Sequence, residues 1–469
     1  MSRWIAGFCV VVLVGAGIAI VQVPDSAGDS WLTILWAAWI VAVVWALTRP
    51  SFSLLFAAIM AAMLLLVILP ATDAQLFGQV TIGTDDYQAG VVRALEIAAL
   101  AQCGMLAGAV AGRTLWPVPR LIKLIPQLSP SYLDRAARWS VYASVLAVIA
   151  FSFLGGASLL SFFTYTTSGG YGTFAREATG NLGYLEAVQG AAGLALVLLP
   201  VRLRCSGSSR WPSLFFAVAA TFVLLGDGQR GRFFVPVFAA GLLWLKTSKR
   251  NLPPRRVAAV GLVILATLGG LIGVARGAAG SRHVTVQAVV AQPFGSGNDL
   301  FLPLAGLAET VPTQLPYLDG TSYVEAAAFL VPRGLWQGKP EGSIANVTKA
   351  FDPGDSGLAF PEFGEMYANF GLPGVVVGSL LLGAIIELLS RRFARSVRIR
   401  ESVFTAVCGA VVLIIFVRGA IAPMLTSYAG LLAMTALICR RRSRVLADRR
   451  PVPAESLRWG NSQRPVVIP

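Results

Sequence analysis

Three short polar clusters in an otherwise apolar chain hold the residues whose types could do chemistry. The first is the sequence DGQRGR at residues 227–232, a tight turn between two apolar runs. Arginine side chains bind phosphate through two N–H groups, and glycines let backbone N–H groups approach an anion closely. Arg230 and Arg232 are therefore candidates for binding phosphate. The alternative is a turn whose arginines contact lipid head groups.

The second cluster is at residues 361–374, where Glu365, Tyr367 and Asn369 precede an apolar helix that starts near residue 372. If this stretch is helical, Glu365 and Asn369 lie on one face, because side chains four residues apart are neighbours on a helix. A carboxylate and a carboxamide there could bind sugar hydroxyls or accept a proton. A helix cap with interfacial aromatic residues is the alternative. Gly374 and Gly378 indicate close helix packing.

The third cluster is Arg418-Gly419, at the end of an apolar run. A buried arginine at this depth needs an anionic partner, and both a protein carboxylate and a ligand phosphate are open. Arg276 and Arg333 are weaker candidates for an anion site, and each is more simply a surface charge. No metal-ligand spacing, P-loop, nucleotide fingerprint or hydrolase motif is present, so the sequence predicts neither a metal nor a cofactor.

Apolar helices must position these clusters. The 469-residue chain is 56% hydrophobic and 13% charged, and a water-soluble protein of this size cannot bury that much apolar surface. The composition also excludes a disordered chain and a disulfide scaffold. The sequence predicts an all-α polytopic integral membrane protein with about 12 transmembrane helices. The predicted spans are residues 4–23, 31–47, 52–69, 90–112, 139–160, 185–201, 211–226, 233–245, 257–274, 372–389, 403–417 and 424–439.

Lysine and arginine residues give the predicted orientation. The net charge is +15, but the basic residues lie in short clusters between apolar runs, which is typical of the positive-inside rule and not of nucleic-acid binding. Both termini are then cytoplasmic. Residues 1–275 form transmembrane helices 1–9, residues 276–370 form one large extracytoplasmic loop that folds as a lid of short helices, residues 371–439 form helices 10–12, and residues 440–469 form a disordered basic cytoplasmic tail.

This layout resembles the O-antigen polymerases, also called oligosaccharide repeat-unit polymerases (Wzy-type). Residues 226–233 are similar to the family's small-residue and Arg-Gly turn before an apolar helix. Residues 330–340 lie in one large outer loop, as in the family. The sequence GEMYANFG at residues 364–371 is similar to the motif that ends that loop, and Arg418-Gly419 follows downstream.

The resemblance implies a metal-independent glycosyltransferase, without a cofactor, at the outer face of the bacterial inner membrane. It would polymerise polyprenyl-pyrophosphate-linked oligosaccharide repeat units into a surface polysaccharide. Membrane lipids and a chain-length regulator or flippase are the other expected partners. Because the leaving group is a pyrophosphate, arginines should stabilise its developing charge. The residues expected to bind the pyrophosphate or glycan are Arg230, Arg232, Arg418, Arg276, Arg333, Tyr367 and Asn369, and the expected base is Glu365 or Asp227.

Two alternatives belong to other classes. An O-antigen ligase would transfer finished glycan to an acceptor lipid, and such enzymes rely on a histidine in the large outer loop, where His283 lies. A transporter or flippase without chemistry is the other alternative. The sequence has no visible internal repeat and carries a large loop on one side, which disfavours alternating access.

Overall fold

Helices make up nearly all of the described structure. The computed structural model describes residues 27–47, 54–77, 81–82, 85–115, 130–155, 183–204, 210–225, 230–247, 300–328, 331, 336–338, 342–352, 359–396, 398–419 and 421–440. The helices are α1 Ala27–Leu47, α2 Leu54–Met63, α3 Leu69–Phe77, α4 Gln88–Leu115, α5 Pro130–Gly155, α6 Gly183–Gln189, α7 Gly193–Arg202, α8 Trp211–Leu225, α9 Arg230–Thr247, α10 Phe301–Thr310, α11 Thr321–Ala328, α12 Ser343–Phe351, α13 Glu362–Arg395, α14 Ile399–Arg418 and α15 Ile421–Arg440.

Short irregular pieces join some of these helices. A π-helical stretch, Leu64–Ile68, makes α2 and α3 continuous, and a 3-10 turn, Gly190–Ala192, joins α6 to α7. The strands β1, Thr81–Ile82, and β2, Asp85–Asp86, form a two-residue antiparallel pair.

Seven helical stretches in the described part of the chain are long and apolar enough to cross a membrane. They are α1, the continuous α2–α3 unit, α4, α5, α13, α14 and α15, while α6–α7 and α8 are shorter apolar helices. The described structure is therefore that of a multi-pass helical membrane protein. The predicted spans at residues 4–23 and 257–274, and the tail after residue 440, lie outside the described residues. The number of twelve spans and the orientation of the bundle stay predictions.

Small residues hold α4 and α13 in close contact. A Cβ atom built on Gly108 of α4 would lie 2.0 Å from the carbonyl oxygen of Leu380 on α13. One built on Gly383 of α13 would lie 2.1 Å from the carbonyl oxygen of Met105 on α4. Such spacing of small residues is how membrane helices bring their backbones together. The long part of α13 is therefore packed closely along α4.

One end of the bundle, here called the basic end, is marked by Arg202, Lys246 and Arg391, each of which contacts a neighbouring helix. Arg391 donates to a backbone carbonyl in the last turn of α4, 3.1 Å away. The Arg202 guanidinium pairs with Asp134 of α5 at 2.8 Å, and the Lys246 ammonium donates to Ser396 Oγ at 2.6 Å. The ends of α4, α7, α9 and α13 and the start of α5 therefore meet at one end, together with their basic residues.

Candidate functional site

The polar residues of the second cluster lie on a short helical arm at the opposite end of the bundle, here called the site end. Helix α13 is interrupted at Gly371, whose φ of 64° and ψ of −157° are not helical. Residues 362–370 form the arm, and residues 372–395 continue as the long apolar helix. The prediction that an apolar helix starts near residue 372 is therefore right for the long part, and the arm before it is also helical.

The arm folds back against the first turns of the long helix. A Cβ atom on Gly374 would lie 2.6 Å from the Cβ atom of Phe370, and one on Gly378 would lie 2.4 Å from the sulfur of Met366. The two glycines therefore leave the space that Phe370 and Met366 fill. The predicted close packing at Gly374 and Gly378 is confirmed, and its partner is the arm.

Glu365 is buried at the centre of this arm and joins three elements. Ser322 on α11 donates its hydroxyl to Oε1 at 2.6 Å, and the backbone N–H of Ile421, at the start of α15, donates to Oε2 at 2.8 Å. The side chain is completely buried. A carboxylate at a helix N-terminus is stabilised by the exposed N–H groups and the helix dipole. Glu365 therefore fixes the arm relative to α11 and α15.

Asn369 lies one turn after Glu365 on the same face of the arm, as predicted. Its amide Nδ2 donates to Ser322 Oγ and to the backbone carbonyl of Glu365, both at 2.8 Å. Oδ1 of this buried amide has no hydrogen-bond partner among the residues that the structure describes. The arm thus presents a connected carboxylate, hydroxyl and carboxamide group that keeps one buried acceptor free.

A second glutamate, Glu362, was not singled out from the sequence. It begins the arm, one turn before Glu365, and is 3% exposed. The Tyr323 hydroxyl on α11 lies 3.4 Å from its Oε1, and within the described ranges Oε2 has no hydrogen-bond partner. Two buried carboxyl groups therefore lie on one face of a single helical turn. The three-residue spacing of Glu362 and Glu365 in the sequence was the signal that could have revealed this pair.

Arg418 ends α14 beside the start of the arm. Gly419 follows with a φ of 54°, and a Cβ atom there would lie 2.5 Å from the carbonyl oxygen of Phe360. Only glycine combines this conformation with this close approach. The second and third sequence clusters are therefore adjacent in space. Among the residues in the described ranges, no carboxylate pairs with the Arg418 guanidinium.

Arg232 lies at the same end of the bundle, in the first turn of α9. It is 2% exposed and donates from Nη1 to Gln189 Oε1 at 2.9 Å. The position of Arg232 along the bundle follows from the antiparallel packing of α9 on α14. The end of α9 lies beside the start of α14, because Lys246 donates to Ser396 and Ser396 contacts Ser402. From Lys246 back to Arg232 the helix rises about 21 Å, at about 1.5 Å per residue. The same rise along α14 leads from Ser402 to the turn that carries Arg418.

Tyr367 lies on the arm but faces the protein interior. Its hydroxyl donates to the Val311 carbonyl at 3.1 Å, and its ring meets Tyr317 edge to face at 6.0 Å. The predicted role of Tyr367 in binding a glycan stays a prediction, and its contacts are those of a core residue. The candidates Asp227, Arg276 and Arg333, together with His283, lie outside the described residues. Arg230 begins α9, and its side chain also lies outside the description.

No group of three or more His, Cys, Asp or Glu side chains that could hold a metal ion occurs within the described residues. No family model, curated protein or solved structure matches this chain. The assignment of chemistry therefore depends on the site end itself. This end combines a buried carboxyl pair, a carboxamide with a free oxygen and an arginine that has no partner among the described carboxylates.

Proposed function

We propose that this protein is a membrane glycosyltransferase. It polymerises polyprenyl-pyrophosphate-linked oligosaccharide repeat units into a surface polysaccharide, at the extracytoplasmic face of a bacterial inner membrane. The observation that carries the proposal is the position of Arg418 next to the arm. The arm holds buried carboxyl groups in Glu362 and Glu365, whereas Arg418 makes no ion pair with a described carboxylate. A positive group that can stabilise a leaving phosphate and a carboxylate that can accept a proton thus lie at the same end of the bundle.

The reaction would use these groups in the following way. A hydroxyl of the acceptor sugar attacks the anomeric carbon of the donor, and the bond from that carbon to the diphosphate oxygen breaks. The diphosphate leaves with the bonding electrons and stays attached to its lipid. Arg418 stabilises the developing negative charge, as preorganised cations do at leaving phosphates. The hydroxyl proton passes to a carboxylate, which is the role of a general base.

A membrane location fits this substrate. The lipid chain of the donor lies in the bilayer, so its diphosphate is at the membrane surface, and a site at one end of a helical bundle meets it there. The short helices α10 and α11 contact the arm at the same end. The Leu304 and Leu307 side chains of α10 approach Gly364, and Ser322 of α11 contacts Glu365. They would cover the sugars and exclude water.

Reconstitution tests the proposed function directly. Lipid-linked oligosaccharides extracted from a strain that lacks this gene are mixed with the purified protein in liposomes, and the products are separated by size. The proposal expects a ladder of lengths. Transfer of a single preformed glycan to another lipid would instead indicate a ligase, and movement of unchanged lipid across the liposome membrane would indicate a flippase.

Arg418→Ala links the ladder to the proposed site. We expect this variant to lose the ladder, because removal of one preorganised donor to a developing anion slows such reactions by about 100-fold to 1,000-fold. Arg204→Ala is the matched control, because Arg204 is exposed and follows α7 at the basic end. Both variants must elute as single species of normal size. A normal ladder from Arg418→Ala would remove Arg418 from the mechanism.

A further inference from the structure

Glu362 is the carboxyl group of the arm that keeps an unused hydrogen-bond acceptor. Both oxygens of Glu365 already accept hydrogen bonds, from Ser322 and from the Ile421 N–H. Glu362 is only 3% exposed, yet its Oε2 has no hydrogen-bond partner in the described part of the molecule. Leaving a buried acceptor unused costs free energy, so such a group calls for a functional explanation.

Tyr323 connects this buried carboxyl to the surface of the protein. Its hydroxyl lies 3.4 Å from Glu362 Oε1, while the residue itself is only partly buried. Its ring stacks on Phe370 with centroids 6.0 Å apart and planes 12° apart, and Phe370 is half exposed. A sugar hydroxyl therefore cannot reach Glu362 directly. Tyr323 is a partly exposed residue whose hydroxyl contacts Glu362.

The phenol keeps its proton in this environment. Burial, and then the nearby carboxyl groups of Glu362 and Glu365, raise the pKa of Tyr323 above its usual value. A neutral phenol can accept one hydrogen bond and donate another. It can thus pass a proton on without ionising first.

We propose that Tyr323 and Glu362 form a proton relay that activates the acceptor hydroxyl of the glycan. This inference rests on the proposed function. As the acceptor oxygen bonds to the anomeric carbon, its proton moves to the Tyr323 oxygen, and the phenol proton moves to Glu362. The diphosphate leaves with the electron pair of the broken carbon–oxygen bond. Glu362 later returns its proton to solvent through the same phenol. Glu365 then positions the arm through its contacts with α11 and α15 and does not itself take the proton.

Several charged or titratable groups surround the relay and must be considered in any pH profile. Among the described residues these are Glu365, one turn away on the arm, Glu325 on α11, and Arg418, which ends α14 beside the start of the arm. Since Glu362 must be deprotonated to accept the proton, the rate falls on the acidic side of the profile. Removal of the Glu362 carboxylate should abolish that acidic decline, and a purely structural change would not.

The experiment uses the full chain in liposomes with the lipid-linked oligosaccharides from the deletion strain. Tyr323→Phe removes one oxygen and keeps the stacked ring, and Glu362→Gln keeps the shape of the side chain. We expect each to lower the rate of elongation by about 100-fold or more, the usual contribution of general base catalysis, with a KM close to that of the wild type. The double variant should be no slower than the slower single variant, because the two groups act as one unit.

Two control variants make the same chemical changes elsewhere. Tyr87→Phe removes a buried hydroxyl that donates to the Phe351 carbonyl at 2.7 Å, and Glu96→Gln removes a carboxylate that pairs with Arg93. Both should retain the rate and the pH profile of the wild type. If Glu362→Gln does not fold, Tyr323→Phe decides the question alone.

The outcomes separate the relay from the proposed function. A wild-type protein that makes no ladder contradicts the proposed function. A wild-type ladder with full rates from Tyr323→Phe, or an unchanged acidic decline in Glu362→Gln, contradicts the relay and leaves the proposed function standing.

Discussion

The contact between α4 and α13 gives the sharpest test of the fold, through the substitution Gly108→Ala. The new methyl group would lie 2.0 Å from the Leu380 carbonyl oxygen, 2.7 Å from its carbonyl carbon and 2.9 Å from its Cα atom. Ordinary carbon–oxygen contacts are about 3.3–3.6 Å, so the two helices would have to separate by more than about 1 Å. Backbone atoms cannot rotate away as a side chain can. Overpacking of this kind costs about 1–3 kcal/mol, and sometimes more.

Gly241→Ala is the matched control for this substitution. Gly241 lies inside α9, and a Cβ atom there would meet nothing within 4 Å. Alanine in a helix is favoured over glycine by about 0.5–1 kcal/mol. Both variants gain this preference, so the difference between them isolates the cost of overpacking. We expect Gly241→Ala to be as stable as the wild type or more stable, and Gly108→Ala to be less stable.

Equilibrium unfolding in mixed micelles with increasing SDS measures this difference, with helix content followed by circular dichroism. Gly108→Ala should unfold at lower SDS than Gly241→Ala, by an amount that corresponds to about 1–3 kcal/mol. Equal unfolding curves for the two variants would refute the close packing of α4 on α13, and with it the support on which the arm depends.

Two further substitutions test the ends of the bundle. Arg202→Ala should destabilise the protein by up to about 3–5 kcal/mol, because the partly buried carboxylate of Asp134 loses its cationic partner and keeps the hydrogen bond from the Ser213 hydroxyl. A double variant that also changes Asp134 should lose less than the sum of the two single changes. Glu365→Ala should lower the melting temperature, because it leaves the Ser322 hydroxyl and the Ile421 N–H without their acceptor, at a cost of about 1–3 kcal/mol for each group. Glu365→Gln should recover part of this loss. Equal melting temperatures for the two Glu365 variants would contradict the bridging role.

Much of the helical architecture could be predicted from the sequence because long apolar runs have few other structures available in a membrane. The helix boundaries were harder to predict. Helix α3 continues to Phe77, beyond the predicted end at residue 69, and the hydroxyl of Thr72 donates to the Ile68 carbonyl, so this polar side chain has a hydrogen-bond partner within the helix. Helix α13 begins at Glu362, ten residues before the predicted start at residue 372, because the chain is helical on both sides of Gly371, the glycine with positive φ.

The candidate site was predictable only where its residues are neighbours along one helix. The face shared by Glu365 and Asn369 follows from their spacing of four residues. Ser322 and Tyr323 reach the arm from about forty positions away, and nothing in their local sequence indicates this contact. Gln189 likewise meets Arg232 only through the packing of α6 on the other helices. The glycine spacing on α4 could have been read from the sequence as a helix-packing surface.

The proposed function requires that a lipid-linked glycan binds at the end of the bundle that carries the arm. Photo-crosslinking tests it without relying on activity. An azidophenylalanine replaces Phe370, which is half exposed beside Tyr323, or Trp211, which is 78% exposed at the start of α8 near the basic end. Radiolabelled lipid-linked oligosaccharide should crosslink to the protein with the probe at position 370 and not with the probe at position 211. Equal labelling at both positions, or labelling at 211 alone, would contradict glycan binding at the site end.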